Sequence, residues 1–410
     1  MTDIRRLVVR ATVPIVALAM VAGSFSSVSA DAEPGVTPTE VLLGGTHPYS
    51  GPASAYGVIG KSIAAYFAYV NDKGGVNGRK ITYKDQDDAY NPAQTVQLVK
   101  GLVEQDKVFA LFNTLGTACN LSIRQYLNDQ KIPQLFVSTG ATTWGTDYAK
   151  YPWTLGFNLD YQAEAIIFGK SIAAHQPNAK IAVLYQNDDF GQDYLTGLKK
   201  GLGAKASQIV KAASYEVTDP DVRSQMAALQ GSGADTLLIA ATPKFAIGAM
   251  ATLGQLSWKP TTYLTNVSAS QTMMAAASKS GGDAATEGII SDFYTMDPTN
   301  AELQNTPGIK LYKEILAKYG QGLDPNNGFV LYGMAAAYTM VDALQKAGKD
   351  LTREKLMDAS LHLTEKNPFL WPGVELTTSP TDHFTIREEQ LVKYDKGAWV
   401  PTGSILDARK

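Results

Sequence analysis

The residues best suited to chemistry in this sequence lie where an apolar run ends, between Lys131 and Gly145. Ile132 to Val137 is short and apolar, which predicts a strand buried on both faces of a parallel sheet. Ligands bind beyond the carboxyl ends of strands in such sheets, where hydroxyls and free N–H groups can hold a carboxylate. The next residues are small or carry hydroxyls: Ser138, Thr139, Gly140, Ala141, Thr142 and Thr143. The stretch therefore indicates either a ligand-binding loop or an ordinary polar loop between a strand and a helix.

Motifs for catalysis are absent from the sequence. It contains no P-loop, no serine nucleophile elbow, and no histidines or cysteines at metal-binding spacing. The acidic run Asp85 to Asp88 lacks the glycine-containing loop of a calcium site and is interpreted as a solvated strand end. The four histidines are scattered and are expected to be structural or solvated: His47, His175, His362 and His383. We therefore expect a binding protein with no catalytic residue, cofactor or metal, in preference to a secreted hydrolase.

The first thirty residues have the pattern of a secretory signal peptide. Arg5, Arg6 and Arg10 precede an apolar run at 11–25, and Val28-Ser29-Ala30 offers a small-residue cleavage site. No other stretch reaches the length that a membrane span needs. Cleavage near Ala30 would release a protein into the periplasm.

Charge and cysteine content narrow the class of protein further. The whole chain has a net charge of −3, and residues 31–410 hold 33 basic and 38 acidic residues. Such a balance gives no electrostatic reason to bind nucleic acid. Cys119 is the only cysteine and lies far from the cleavage site, so we expect a free thiol without catalytic role, no disulfide and no lipid anchor.

Two successive runs of alternating strands and helices predict two parallel sheets, each covered by helices on both faces. The fold class is thus α/β with two doubly wound lobes. Strands of the first run are predicted at Val41–Gly45, Ile81–Asp85, Val108–Phe112 and Ile132–Val137. Those of the second are predicted at Ile181–Tyr185, Ile209–Tyr215, Thr236–Ala240 and Thr261–Thr265, with one more at Gly288–Tyr294.

Four motifs in register resemble a known family, the extracellular solute-binding proteins of the leucine/isoleucine/valine-binding type. They are YSGPASAYG at 49–57, NDKGGVNGRKI at 71–81, DDAYNP at 87–92 and NDDFGQDY at 187–194. The resemblance covers nearly all of the chain beyond the signal peptide. It implies the type I periplasmic binding protein fold, two lobes that close on one ligand. It also implies delivery of a small molecule to an inner-membrane ABC permease, by a protein expected to be a monomer.

The resemblance also implies three hinge crossings between the lobes. From breaks in the alternating pattern we expect them near Phe157–Asp160, Ile290–Phe293 and Thr381–Thr385. Lobe 1 would then comprise residues 36–157 and 290–381, and lobe 2 residues 158–289 and 382–410.

Ligand contacts follow from the resemblance only where the motifs match. Tyr56 matches the tyrosine of the family's first loop, and Phe190 the aromatic residue across the cleft. The loop after the third strand, here Leu115-Gly116-Thr117, would offer donors to a ligand carboxylate. After the fourth strand, Thr142 would help to hold the carboxylate and a backbone carbonyl would accept from an amine. The expected ligand-binding residues are Tyr56, Gly116, Thr117, Ser138, Gly140, Thr142, Phe190 and Asn266.

One departure from the family leaves the ligand open. Amino-acid binders of the family place an acid where this chain has Asn266, and a desolvated ammonium without a carboxylate is costly. Either another acid such as Asp189 serves, or the ligand is an aromatic carboxylate without an amine. Aromatic side chains suited to stacking are Tyr56, Trp144, Tyr161, Tyr185 and Phe190, although core packing is the simpler role for Tyr185. The sequence thus indicates a binding protein for a hydrophobic amino acid or an aromatic acid, or a module that presents its ligand to a membrane receptor.

Overall fold

The computed structural model of this protein describes residues 1–2 and 33–407. The predicted signal peptide and its cleavage site fall almost entirely outside those residues. Within the described part of the chain, no helix is long and apolar enough to cross a membrane. Residues from Glu33 onward form one compact unit that contains both predicted sheets.

The first sheet has five parallel strands in the order β2-β1-β3-β4-β5. They are β1 (Glu40–His47), β2 (Lys80–Asp87), β3 (Ala110–Phe112), β4 (Gln134–Val137) and β5 (Thr154–Gly156). The helices between them are α1 (Val58–Asp72), α2 (Pro92–Glu104), α3 (Thr117–Asp129) and the short α4 (Thr143–Thr146). All of these strands therefore point their carboxyl ends to the same edge of the sheet.

The second sheet continues the alternation. Its parallel strands are β6 (Ile181–Gln186), β7 (Ile209–Tyr215), β8 (Thr236–Ala240), β9 (Thr261–Leu264) and β10 (Ile290–Phe293). Its helices are α5 (Tyr161–His175), α6 (Asp189–Leu202), α7 (Arg223–Gln230), α8 (Pro243–Gln255) and α9 (Gln271–Gly281).

The last part of the chain serves both sheets. Three helices, α10 (Pro307–Tyr319), α11 (Gly328–Ala347) and α12 (Arg353–Ser360), pack in the hydrophobic core of the first sheet. A separate small pair is formed by β11 (Thr364–Glu365) and β12 (Leu376–Thr377). Then β13 (Glu388–Asp395), β14 (Ala398–Pro401) and β15 (Leu406–Asp407) extend the second sheet in antiparallel fashion beside β10.

Alternate residues of the second sheet face two different hydrophobic cores. In β6, Ala182 and Leu184 belong to one cluster, whereas Ile181 and Val183 belong to the other. Side chains of a strand alternate between faces, so both faces of this sheet are covered and dry. The predicted α/β fold with doubly wound parallel sheets is confirmed.

Local sequence sets the starts of the helices that surround the strand ends. Asn91 caps α2 by accepting from the N–H groups of Ala93 and Gln94, with Pro92 in the first turn. Asp160 caps α5 and Asp188 caps α6 in the same way. Because an Ncap carboxylate or amide satisfies N–H groups that no helical partner can reach, these residues fix where each loop ends.

The chain passes between the two sheets three times in the described residues. The first passage follows β5 and the third precedes β13. Residues 290–293 are β10 itself, paired with Tyr263 of β9 and with 390–393 of β13. The chain leaves the second sheet only after Phe293, since Tyr294 and Met296 pack in the core of the first sheet. We therefore move the proposed boundary from residue 290 to residue 294.

Candidate functional site

A cavity lies between the two sheets at the carboxyl ends of their strands. It has about 830 Å³ of space not occupied by atoms, part of it open to solvent. Its lining is aromatic, hydroxyl-bearing and amide-bearing. The residues that line it include Tyr56, Tyr90, Gly116, Thr117, Ser138, Asn158, Tyr161, Phe190, Asn266, Phe293, Asp297, Phe329 and Tyr332. Such a volume and lining suit a small, partly apolar molecule.

The wall from the first sheet presents the start of α3 beside Ser138. Gly116 has φ of +101°, and a Cβ there would lie 2.6 Å from Cε2 of Tyr90. Its N–H donates to the carbonyl of Ser138 at 3.2 Å, which holds the loops after β3 and β4 together. No side chain of the described residues caps α3, so the N–H groups of its first turn have no side-chain partner. These groups and the helix dipole favour an anion at this wall.

The wall from the second sheet is aromatic. The rings of Tyr161 and Phe190 lie 5.0 Å apart with an interplanar angle of 69°. Both are nearly fully buried, as is Tyr194 behind them. Edge-to-face packing of this kind provides a rigid apolar surface for part of a ligand.

Asn266 connects this wall to buried acids. Its backbone N–H donates to Glu164 Oε1 at 3.0 Å, and its Nδ2 donates to Glu164 Oε2 at 2.9 Å and to Asp292 Oδ2 at 3.1 Å. Burial raises the pKa of both carboxyls, that of Asp292 to about 7. Because both amide protons of Asn266 are donated to acids, its Oδ1 is the side-chain atom that can accept from a ligand. Amino-acid binders of the family have an acid at this position, whereas here Asn266 has two carboxyls, those of Glu164 and Asp292, as hydrogen-bond partners.

Asp297 is the only formally charged side chain among the described residues that line the cavity. It is 4% exposed, and it accepts from the backbone N–H of Thr299 at 2.9 Å and from its hydroxyl. Burial raises its pKa above the ordinary value for aspartate. With no lysine or arginine among these residues, an anionic group would be held by neutral donors alone.

Hydrogen bonds join the two sides of the cavity. The Tyr56 hydroxyl donates to the carbonyl of Val267 at 2.9 Å. Ser270 donates to Asn327 Oδ1 at 3.1 Å and accepts from the N–H of Gly328 at 3.1 Å. In this structure the walls are therefore in contact around the cavity rather than separated.

Six of the eight expected ligand-binding residues line this cavity: Tyr56, Gly116, Thr117, Ser138, Phe190 and Asn266. Gly140 and Thr142 do not. The Thr142 hydroxyl donates to Asp160 Oδ1 at 2.5 Å and its N–H to Asp193 Oδ2 at 2.8 Å, so its donors are already used. Gly140 lines a separate small pocket with Trp144 and His383. Of the other aromatic candidates, Tyr161 lines the cavity and Trp144 and Tyr185 do not.

Several lining residues were not expected from the sequence. Tyr332 and Phe329 come from α11, and Asp297 follows β10. Tyr332 and Phe329 lie on a helix, so the rule that ligands lie at strand ends does not find them. Asp297 follows the parallel strand β10, and that rule does apply to it. Asn158 comes from the first passage between the sheets.

Cys119 is a free, buried cysteine that does not line the cavity. Burial raises the pKa of its thiol, with a further contribution from Asp88, so the helix start does not activate it. No group of three or more histidine, cysteine, aspartate or glutamate residues in the described chain could hold a metal ion.

Comparison with known proteins identifies the family. The family model described as periplasmic binding protein matches residues 40–398. The Leu/Ile/Val-binding protein homolog 1 of Brucella abortus is 25% identical over 364 residues, which cover 88% of this chain and 91% of that protein.

Solved structures share the fold. A branched-chain amino acid ABC transporter protein from Thermus thermophilus, with bound valine, superposes with a TM-score of 0.79 at 20% identity, covering 91% of this chain and 97% of that one. A solute-binding protein of an ABC transporter from R. palustris, in complex with benzoate, gives 0.73 at 19% identity, covering 89% and 96%. The resemblance drawn from the four motifs is confirmed, and this chain belongs to the periplasmic binding protein family.

Proposed function

We propose that this protein is the extracytoplasmic substrate-binding subunit of an ABC importer, and that it captures a small hydrophobic molecule with a carboxylate. The observation that carries the proposal is the cavity itself. An uncapped helix start and Ser138 lie on one wall, and the Tyr161–Phe190 pair on the other. The hydrogen-bond donors of the first wall suit a carboxylate, and the aromatic rings of the second wall suit an apolar group.

The carboxylate end would lie against Gly116, Thr117 and Ser138. Each hydrogen bond to a charged group contributes about 1.5–3 kcal/mol, so a few neutral donors hold a carboxylate without a lysine or arginine. The helix dipole of α3 adds to them. Because Thr142 is bonded elsewhere, we do not include it in this subsite.

Two groups could receive an amine, which favours a branched-chain or other hydrophobic amino acid. Asn266 lines the cavity and donates its Nδ2 protons to Glu164 and Asp292, which leaves its Oδ1 to accept from an amine. Asp297 carries the only formal charge among the described lining residues. The second candidate ligand is an aromatic carboxylate without an amine. The aromatic wall and the likeness in fold to a benzoate-bound protein favour it.

Ligand capture would proceed by closure of two lobes. We assign residues 36–157 and 294–381 to lobe 1 and residues 158–293 and 382–410 to lobe 2, each with its own sheet. A ligand that binds the closed form more tightly than the open form shifts the equilibrium between them towards closure. The protein would act as a monomer in the periplasm, after cleavage near Ala30, and pass its ligand to an inner-membrane permease.

A panel of matched ligands tests the proposal. Isothermal titration with leucine, 4-methylpentanoate, phenylalanine and benzoate, each compared with its primary amide, separates the contribution of the carboxylate from that of the amine. We expect at least one acid to bind, and its amide to bind at least tenfold more weakly. Tighter binding of leucine than of 4-methylpentanoate would identify a site for the amine. Tighter binding of 4-methylpentanoate would indicate that the ligand is an aromatic or fatty carboxylate without an amine. Equal binding of acid and amide would overturn the proposed ligand class.

Experiments in cells distinguish a role in transport from a role in sensing. Deletion of the gene should abolish uptake of the radiolabelled ligand at low concentration, with uptake restored by the wild-type gene. Undiminished uptake, together with loss of a transcriptional or motile response to the ligand, would instead identify a sensory module for a membrane receptor.

A further inference from the structure

Tyr90 is an aromatic residue of the cavity wall that belongs to neither a strand nor a helix. It lies in the loop between β2 and α2, within the motif DDAYNP at 87–92, and it lines the cavity. Its side chain is 9% exposed and packs in the core of the first sheet. A hydroxyl on a ring that is otherwise buried needs a hydrogen-bond partner.

The loop itself sets where the Tyr90 ring points. Ala89 and Tyr90 have φ of +51° and +60°, in the left-handed region that residues other than glycine rarely adopt. Asp87 Oδ1 accepts from the N–H of Ala89 at 2.9 Å, and Asp88 Oδ1 accepts from that of Tyr90 at 3.0 Å. Asp88 is fully buried, and its Oδ2 accepts from the hydroxyl of Thr95 in α2 at 2.8 Å. Such a conformation persists where its surroundings hold it, as these hydrogen bonds do here.

The ring lies directly over the start of α3. A Cβ added at Gly116 would be 2.6 Å from Cε2 of Tyr90 and 3.3 Å from Cζ, the atom that carries the hydroxyl. No described side chain caps this helix, so the N–H groups of its first turn are open to a ligand. The Tyr90 hydroxyl therefore lies beside the donors that the proposed function assigns to a carboxylate.

Gln186 of β6 meets the Tyr90 hydroxyl from the other side of the cleft. Its other partners fix the direction of its amide. Gln186 Oε1 accepts from the Tyr215 hydroxyl at 3.0 Å, and its Nε2 donates to Asp188 Oδ2 at 2.7 Å. One Nε2 proton of Gln186 is then left, and it is the proton that can be donated to the oxygen of Tyr90.

The proton of the Tyr90 hydroxyl has no acceptor among the described residues. Burial raises the pKa of Tyr90 well above 10, and the hydrogen bond from Gln186 lowers it only in part. The charge of Asp188 acts on Tyr90, but its Oδ1 accepts from the N–H of Gly191 at 3.3 Å and its Oδ2 from Gln186. The hydroxyl thus stays protonated at neutral pH and can donate one hydrogen bond to a ligand.

We propose that the Tyr90 hydroxyl donates its proton to the ligand carboxylate beside the start of α3, and that it favours carboxylates over their amides. This inference rests on the proposed function, because it takes the ligand to place a carboxylate at that wall. A hydrogen bond to a charged acceptor is about twice as strong as one to a neutral acceptor, so this donor adds to the choice between acid and amide. Because Gln186 belongs to the proposed lobe 2, its contact with Tyr90 ties the donor to the closed form.

The variant Tyr90→Phe tests the inference, because it removes the hydroxyl and keeps the ring over Gly116. Calorimetry with leucine and benzoate, each compared with its primary amide, measures the affinities. For an acid that binds wild type, we expect Tyr90→Phe to bind about ten- to a hundredfold more weakly. Its amide should lose less, so the ratio of acid to amide affinity should fall by at least about threefold.

Two controls separate recognition of the ligand from a role in the fold. Tyr126→Phe removes a hydroxyl that donates to Glu104 Oε1 at 2.9 Å outside the cavity, and it should bind as wild type does. The melting temperature of ligand-free Tyr90→Phe should lie within about 2 °C of wild type, because its hydroxyl proton has no acceptor to lose. A lower melting temperature with equal losses for acid and amide would assign Tyr90 to the fold and overturn the inference.

A crystal structure of wild type with its bound acid measures the contact directly. Tyr90 Oη should lie about 2.5–2.8 Å from a carboxylate oxygen, and a distance above about 3.5 Å from both oxygens overturns the inference. If an acid binds wild type and Tyr90→Phe binds it within about twofold, the inference fails while the proposed function stands. If no acid of the panel binds wild type, the proposed function fails and this inference fails with it.

Discussion

At the scale of single residues, three buried carboxyls stand behind the cavity wall: Glu164, Asp292 and Glu389. Within the described chain, both oxygens of Glu389 and Oδ1 of Asp292 lack a hydrogen-bond partner. Burial raises the pKa of Glu389, and the charges of Asp292 and Glu164 raise it further. These groups hold protons in the folded protein that the unfolded chain releases, so they destabilise the protein as the pH rises.

Removing one of these acids should stabilise the protein. For a carboxyl whose folded pKa is raised, the folded state binds more protons than the unfolded state, and stability falls from about pH 4.5 upward until the folded pKa is passed. Glu389→Gln removes the contribution of one carboxyl to this dependence and supplies an amide donor to the cluster. We expect the free energy of unfolding at pH 8 to rise by about 1–3 kcal/mol, with a much smaller change at pH 4.

Urea unfolding of wild type and Glu389→Gln at pH 4 and pH 8 measures the change in the free energy of unfolding. The neighbouring Glu388→Gln is the control, because Glu388 is only partly buried. Equal stability of Glu389→Gln and wild type at pH 8 would contradict the prediction, because it would show that the buried Glu389 carboxyl does not destabilise the protein.

A second prediction at this scale concerns two hydroxyls after β4. Ser138 lines the cavity, whereas the Thr142 hydroxyl donates to Asp160. Loss of one hydrogen bond to a charged group costs about 1.5–3 kcal/mol. Ser138→Ala should therefore weaken binding of an acid ligand about ten- to a hundredfold, and Thr142→Val by less than threefold, as calorimetry would show. A larger effect at Thr142 would place the carboxylate on the other side of this loop.

At the scale of elements, the start of α3 depends on Gly116. Its φ of +101° is costly for other residues, and an added Cβ would meet the ring of Tyr90 at 2.6 Å. Gly116→Ala should destabilise the protein by about 1–2 kcal/mol and weaken ligand binding, because it displaces the N–H groups of the helix start. Thermal unfolding and calorimetry measure the two effects.

Gly101 in α2 provides the matched control. A Cβ there would meet nothing within 4 Å, and the residue is helical. Gly101→Ala should raise stability by about 0.5–1 kcal/mol without changing affinity. A neutral Gly116→Ala would mean that the loop can move away from Tyr90, and the helix start would then be less rigid than we infer.

The sequence predicted those elements whose periodicity is local. Apolar runs such as Ile181 to Tyr185 give buried strands, and strand ends place Gly116 and Ser138 on one edge. Tyr332 and Phe329 could not be predicted, because α11 reaches the cavity only through tertiary packing. Asp297 follows a predicted parallel strand, and the rule for strand ends applies to it. Tertiary packing is also the reason why the sequence showed no acid near Asn266. In the structure, Glu164 of α5 and Asp292 of β10 accept hydrogen bonds from Asn266.

At the scale of the whole molecule, hydrogen bonds hold the two lobes in contact, among them those from Thr142 to Asp160 and Asp193. Besides the Tyr56–Val267 bond, Ser270 makes two bonds to the start of α11. Ser270→Ala removes both, each with a net value of about 0.5–1.5 kcal/mol. Because the closed form binds ligand, a smaller closed population should weaken binding several-fold. Ser280→Ala, an exposed serine of α9, is the control for calorimetry.

Closure itself should be visible in solution. Each sheet has its own main core, although Val137, Ala141 and Trp144 of lobe 1 pack into a core cluster of lobe 2. Closure would move the two sheets as bodies and shift the packing at that shared cluster. Small-angle scattering should give a smaller radius of gyration for the protein saturated with its ligand than for the ligand-free protein. Ser270→Ala without ligand should be at least as expanded as wild type, and should need more ligand to reach the compact state. Identical radii with and without ligand would mean that the lobes stay together and that the ligand enters a preformed cavity.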